Sequence, residues 1–342
     1  MDFSQQVNAV IDHMAKPHNS LGLLEKYMKK VFLGWGVFYQ EVRPFHLIFA
    51  ADNGVTEEAV VKQSPEITYL QAKNMIDGCA TISCFCKSNQ IPYKVIDVGV
   101  NQLEAVGVNY KARMGTKNFL KTEAMDRQEF LKAFQAGEDM VKQAAEEGYN
   151  LISFGEMGIG NTTTSSAVLH ALTDIQPEFI VGYGANQQNP EVIKRKREVV
   201  RVGVELHRFK MQTVEDILRC VGGFDLVAIY AGMLACAKQK VPFVIDGFIT
   251  AVAYACAVNM DKSVQAYAIP SHISREPGME YALSLGNIEY KDVPIRADMA
   301  LGEGTGAVFM VVMLRTMLHA VWHVSKLSEF DHKIIGNKLE AL

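Results

Sequence analysis

The feature that most constrains the fold is a recurring unit: a short run of β-branched and aliphatic residues that ends at a glycine or an acid and gives way to helical periodicity. Such runs occupy residues 46–51, 93–98, 150–154, 179–183, 242–245 and 264–269. They are short and nearly all apolar, the pattern of parallel strands covered on both faces. Helical spacing fills intervals at 68–87, 126–147, 162–172, 190–210, 226–238 and 247–258. The alternation predicts an α/β fold, a Rossmann-like parallel sheet in three layers. Residues 1–40 and 308–342 carry helical patterns without strands. They are expected to form a smaller helical lobe beside a parallel α/β catalytic domain over 41–307.

An apolar fraction of 49% in 342 residues is ample for a buried core. The net charge of −4 creates no field that would draw in nucleic acid or an acidic membrane surface. The longest apolar stretches, 241–260 and 305–323, contain Asp246 and Arg315, which a bilayer would penalise, so neither is expected to span a membrane. The six cysteines lie mostly in apolar or small-residue stretches and are expected to be buried thiols. Cys84 and Cys86 have no second pair to complete a zinc site, and no metal is expected. With no signal-peptide pattern, the expected compartment is the cytoplasm. His319 and His323, four apart on a helix, are expected to pack or to face solvent, and the methionines between 310 and 317 to fill the core.

Ligands of an open parallel sheet bind at the carboxyl ends of its strands, where helix N-termini direct free amides inward. Four acids stand near such ends, each closely followed by glycine: Asp52 before Gly54, Asp97 before Gly99, Glu156 before Gly158 and Asp246 before Gly247. The run Gly155 to Thr164 joins a strand end, a glycine turn and a helix start whose amides suit a phosphate. On its own it serves equally as a structural turn. It lacks the lysine of a triphosphate loop and the glycine spacing of a dinucleotide fingerprint, which argues against ATP and NAD. A second run, Leu301 to Ala307, flanks Glu303 with glycines ahead of a long apolar helix. A carboxylate so placed is either a partly desolvated general base or a helix-capping acid.

The chain carries, in order, Lys16-Pro17 with Ser20-Leu21-Gly22, Ala51 to Val55, Gly155 to Thr163, Gly222-Gly223-Phe224, Asp246-Gly247-Phe248, Ser274 to Gly278 and Gly302 to Ala307. Taken together, these motifs resemble those of the nicotinate-nucleotide:dimethylbenzimidazole phosphoribosyltransferase family of cobamide synthesis. The resemblance implies a dimer and a reaction without cofactor or metal. In it, nicotinate mononucleotide passes its ribose phosphate to an aromatic acceptor with inversion, giving an α-ribotide and nicotinate. It further implies that Glu303 is the catalytic base and Glu156 a second active-site acid. Gly158, Ile159, Gly160, Asn161 and Thr162, with Lys196 and Gly184, would hold the phosphate, while Asp246 and Ser274 would line the ribose or nicotinate side.

The sequence departs from the family around the acceptor. Asn53 replaces a usual His, Val61 a Ser, Tyr69 lies near a usual Gln, Ala185-Asn186 replaces Thr-Gly, Met279 a His and Ala300 an Arg. Asn53, Val61, Tyr69, Met157 and Leu301 are the expected acceptor pocket. The loss of a hydroxyl at 61 points away from dimethylbenzimidazole toward another lower ligand, a phenol or p-cresol. Such acceptors are handled by a related two-chain enzyme, so the partner is either a second copy or a sister subunit. The alternative is a noncatalytic subunit that completes a heterodimer with a catalytic chain.

Overall fold

The structure is a computed structural model that describes residues 1–184 and 189–329. Strands β1 (Pro44–Ala51), β2 (Tyr93–Gly99), β3 (Val108–Asn109), β4 (Leu151–Met157), β5 (Phe243–Ile245) and β6 (Ala268–Pro270) form one parallel sheet. Its order is β3-β2-β1-β4-β5-β6, so the chain winds outward in both directions from the β1/β4 pair. That pair is the topological switch point where such sheets open a crevice. Its register runs unbroken from Pro44 opposite Leu151 to Ala50 opposite Met157, and it sets the chain after Ala51 beside the chain after Met157.

Period-two geometry explains why the strands read as apolar throughout. In β1, Leu47, Phe49 and Ala51 join one apolar cluster, while Ile48 and Ala50 join another on the opposite face. Helices α1 (Phe3–Asp12), α2 (Leu23–Trp35), α3 (Glu66–Ile76) and α4 (Thr81–Ser88) contribute to the second cluster. Helices α5 (Arg127–Glu146), α6 (Asn161–Thr173), α7 (Pro177–Ile180), α8 (Pro190–His207), α9 (Val214–Val221), α10 (Phe224–Gln239), α11 (Phe248–Met260) and α12 (Gly278–Leu285) contribute to the first. A parallel pair, β7 (His272–Ser274) and β8 (Ile295–Met299), leads into α13 (Thr305–His323), which returns to the second cluster.

Local sequence sets several boundaries. Asp2 with Gln5 and Asp126 with Glu129 form reciprocal capping boxes at the starts of α1 and α5. Among the described residues, α13 alone has the length and apolarity to cross a bilayer, and here it packs on α2, α4, β4 and β5. Met310 and Met317 are buried in that packing, while the His319 and His323 rings stack on its outer side.

The structure corrects some expectations. Residues 179–183 contain no strand: Pro177 at the first helical position starts α7, and a short apolar run cannot by itself distinguish strand from helix. The single helix expected over 68–87 is two, because Gly78 adopts φ +78° between α3 and α4. Residues Lys262–Ala266 form a 3-10 turn, leaving only Ala268 and Ile269 of the last run in a strand, which ends at Pro270. The end of the helix expected over 190–210 is likewise a 3-10 turn, Arg208–Lys210. Cys79 and Cys84 are exposed rather than buried, Cys79 in the turn joining α3 to α4 and Cys84 on the outer face of α4; the other four cysteines are buried, and all six are free.

Candidate active site

Beyond β4 the chain turns through Gly158, Ile159 and Gly160 before α6 begins. Gly160 has φ +93°, and a Cβ there would lie 2.9 Å from Thr56 Cγ2, so the turn requires glycine on both counts. Ile159 N–H donates to Thr68 Oγ1 (3.1 Å), Asn161 N–H to the Gly158 carbonyl (3.1 Å) and Thr163 N–H to the Gly160 carbonyl (2.9 Å). The amides of Gly160 and Thr162 have no acceptor among the described residues, which leaves an open helix N-terminus. Behind it, the fully buried Lys196 of α8 donates to Thr162 Oγ1 (2.8 Å) and to the Gly182 carbonyl (3.0 Å). Burial lowers the Lys196 pKa, and nearby Glu276 opposes that shift.

Glu303 precedes α13 in a turn of three left-handed residues, Gly302 (φ +82°), Glu303 (φ +61°) and Gly304 (φ +87°). For Glu303 this conformation costs roughly 1–2 kcal/mol. Partners on every side hold it. Its amide faces Glu156 Oε1 (3.4 Å), and its carbonyl accepts from His46 Nε2 (3.0 Å). Asp246, at the end of β5, accepts from Ala307 N–H (3.0 Å) at the start of α13. Glu303 is 4% exposed. Gln71 Nε2 donates to its Oε1 (2.7 Å), whereas its Oε2 is buried with no partner. Burial raises the Glu303 pKa, and the donors from Gln71 and the Ile82 backbone pull it back.

The turn at 158–162 and the Glu303 loop face one cavity of about 290 Å3. They are joined through Glu156, which receives a very short hydrogen bond from Asn161 Nδ2. Asn161 also donates to Asp225 (3.0 Å), a residue of the Gly-Gly-Phe motif region at the start of α10.

Residues 1–331 match the model of a phosphoribosyltransferase family. The chain belongs to this family. It is 35% identical over 322 residues to the nicotinate-nucleotide–dimethylbenzimidazole phosphoribosyltransferase of Clostridium tetani, covering 93% of this chain and 88% of that protein. It is 38% identical over 301 residues to the enzyme of the same name from Acetivibrio thermocellus, covering 87% and 84%. The crystal structure of CobT from Thermus thermophilus superimposes with a TM-score of 0.88 at 32% identity, over 96% of this chain and 98% of that one.

The cavity of this phosphoribosyltransferase collects most of the residues expected from sequence. Glu303, Glu156, Gly158, Ile159, Gly160, Asn161, Thr162, Gly184, Asp246 and Ser274 line it, as do Val61, Met157 and Leu301. Lys196 stands behind the wall through Thr162. Asn53 and Tyr69 do not line it. Asn53 turns inward behind Gly158, donating to the Ile159 carbonyl (3.3 Å). Tyr69 packs in the second apolar cluster, because Ile67 and Gln71, four apart on α3, take the cavity face and leave position 69 about 200° around the helix from 67. Met279 is also off the wall, its sulfur accepting from Ser274 N–H, and Ala185-Asn186 lies outside the described residues.

Sequence reasoning missed Gln71, the direct partner of the Glu303 carboxylate; its signals were helical spacing from Ile67 and the glutamine usual in the family near position 69. Of the four strand-end acids, two serve the framework. Asp97 accepts from the Gly99, Val100 and Val106 amides and pairs with Lys111, while Asp52 accepts from Asn101 N–H. The other two, Glu156 and Asp246, reach the cavity. Burial first, and then the nearby Asp225, push Glu156 up to about 8. Burial also raises Asp225, to about 6, against the pull of Asn161 and backbone donors. At neutral pH the free site therefore holds Glu156 largely protonated.

Proposed function

We propose that this phosphoribosyltransferase moves the ribose phosphate of nicotinate mononucleotide to an aromatic acceptor that becomes the lower ligand of a cobamide. The observation that carries the reading is the Glu303 carboxylate, half-engaged by Gln71, in the same cavity as the open N-terminus of α6. The amides of Gly160 and Thr162 and the buried Lys196 suit the nucleotide phosphate. The bond between the ribose anomeric carbon and the pyridinium nitrogen breaks, and its electron pair leaves with nicotinate, neutralising the ring charge. A new bond forms from the acceptor to the anomeric carbon on the opposite face, and the acceptor proton passes to Glu303. Glu156, drawn to its ionised form once the pyridinium cation of the nucleotide is beside it, orients the nucleotide or stabilises positive charge developing on the ribose.

The acceptor we favour is a phenol or p-cresol rather than dimethylbenzimidazole. Val61 offers an isopropyl group to a wall that also includes Ile67, Met157 and Leu301, so its apolar side lacks a hydroxyl partner for a ring nitrogen. A phenolic hydroxyl ionises near pH 10, so a carboxylate whose basicity is increased by burial is a suitable partner for its proton. The enzyme works as a homodimer or with a related sister subunit. The same reading treats 1–40 with 308–342, of which 330–342 lie outside the described residues, as a helical lobe beside the catalytic body 41–307; the bridge between Met14 and Lys326 and the packing of both α1 and α13 on α2 support it.

Purified protein, alone and with any sister subunit, is assayed with nicotinate mononucleotide against phenol, p-cresol, adenine and benzimidazoles. Phenolic turnover is expected to exceed that of dimethylbenzimidazole; equal or better turnover of the benzimidazole discards the acceptor assignment. Glu303→Gln is expected to lower kcat by about a hundred- to ten-thousand-fold. A loss of less than tenfold would mean that the carboxylate is not the base.

A further inference from the structure

We infer that His46, together with Ser153, is a positioning device for Glu303: its ring, locked in one tautomer, fixes the carbonyl of the catalytic residue. The inference rests on the assignment of Glu303 as base. His46 belongs to β1 and Ser153 to its neighbour β4; both are fully buried, and neither lines the cavity. His46 Nε2 lies 3.0 Å from the Glu303 carbonyl oxygen, and Nδ1 lies 2.8 Å from Ser153 Oγ. A carbonyl can only accept, so Nε2 must carry the hydrogen. In a neutral ring Nδ1 then has a lone pair and accepts from the serine hydroxyl, which can donate. Burial pushes the imidazole pKa down to about 4, so the ring is neutral through the working range.

The surrounding backbone is shaped to admit this ring. A Cβ on Gly304 would collide with His46 Cε1, and one on Gly155 would lie 2.9 Å from Nε2 and overlap the Glu303 carbonyl oxygen. Two of the glycines in the catalytic motifs therefore make room for the contact. With the amide of Glu303 facing Glu156 and its carbonyl held by His46, both backbone groups of a left-handed residue are tied to the strands at the switch point. Without the histidine donor, that buried carbonyl loses its partner and the carboxylate loses its fixed aim.

The test compares His46→Leu, His46→Gln and Ser153→Ala, each made also with its partner substitution, using folded protein checked by thermal melting. His46→Leu should lower kcat about ten- to a hundredfold and change KM for nicotinate mononucleotide less than twofold, the mark of misaimed chemistry with intact binding. His46→Gln, which restores an amide donor, should recover most of kcat. Ser153→Ala should cost several-fold while His46 is present and nothing further when combined with His46→Leu, because its effect runs through the tautomer.

Nitrogen-labelled histidine NMR reads that tautomer directly, with the His46 signal assigned by its loss in His46→Gln. A neutral ring with the proton on Nε2 is expected near pH 7. A proton on Nδ1, equal losses in the Leu and Gln variants, or additive effects of the two sites would overturn the inference. If His46→Leu does not fold, Ser153→Ala and the tautomer still decide it. The base assignment fails separately, through an active Glu303→Gln enzyme, which would remove the role inferred for His46 even with the tautomer as expected.

Discussion

Glu156 and Glu303 illustrate how two carboxyl groups in one cavity are set differently by their neighbours. Glu156 is enclosed with Asp225 close by, so its proton is retained to about pH 8. In the unfolded chain it ionises near its ordinary value of 4.5. Between these limits the folded protein holds a proton that the unfolded chain has released. The contribution is therefore fully present below pH 4.5 and is lost as the pH rises through about 8. Glu156→Gln should remove that dependence: its melting temperature relative to the parent protein should rise steadily between pH 5 and pH 8, and a constant difference would contradict the assignment. Gln71 acts oppositely on Glu303, since a donor to the ionised carboxylate lowers its pKa. Replacing Gln71 by Leu should move the acid limb of the kcat–pH profile to higher pH. A shift to lower pH, or none, would show that Gln71 does not stabilise the catalytic anion.

At the scale of elements, close approach is built from glycine where helices and loops must touch. Gly137 of α5 faces α10, where an added Cβ would overlap the Ala228 carbonyl oxygen. Gly137→Ala should separate the two helices and cost about 1–3 kcal/mol in urea unfolding, with kcat little changed because neither residue lines the cavity. Asp246 connects two elements in another way: from the end of β5 its carboxylate accepts amides at the N-terminus of α13, where the helix dipole favours an anion. The sequence suggested that this acid would line the ribose or nicotinate side. Its place on the cavity wall is compatible with that proposal, but Oδ1 is engaged by the helix. Residues 179–183 form no strand because a run of four or five apolar residues satisfies either period, and Pro177 starts a helix that takes in Phe179 and Ile180.

For the molecule as a whole, the terminal helices and one face of the sheet share a single apolar layer. The terminal helices and the sheet should consequently unfold together, with coincident transitions by far-UV and near-UV circular dichroism; two separated transitions would show independent units. The sequence by itself determined the α/β class, the placing of a cavity at the strand ends and the two glycine-flanked segments, a strand end and a loop, that bring Glu156 and Glu303 to it. Those features are encoded by local periodicity and by glycine spacing within a few residues. Only the tertiary structure decided that Gln71 rather than Tyr69 meets the cavity, that Asn53 turns inward, and that His46 holds the Glu303 carbonyl. Gln71 and Glu303 are 232 residues apart in the chain, and His46 and Glu303 are 257 apart. Contacts over such separations depend on strand order and helix rotation, which packing of the entire sheet fixes and no short motif contains.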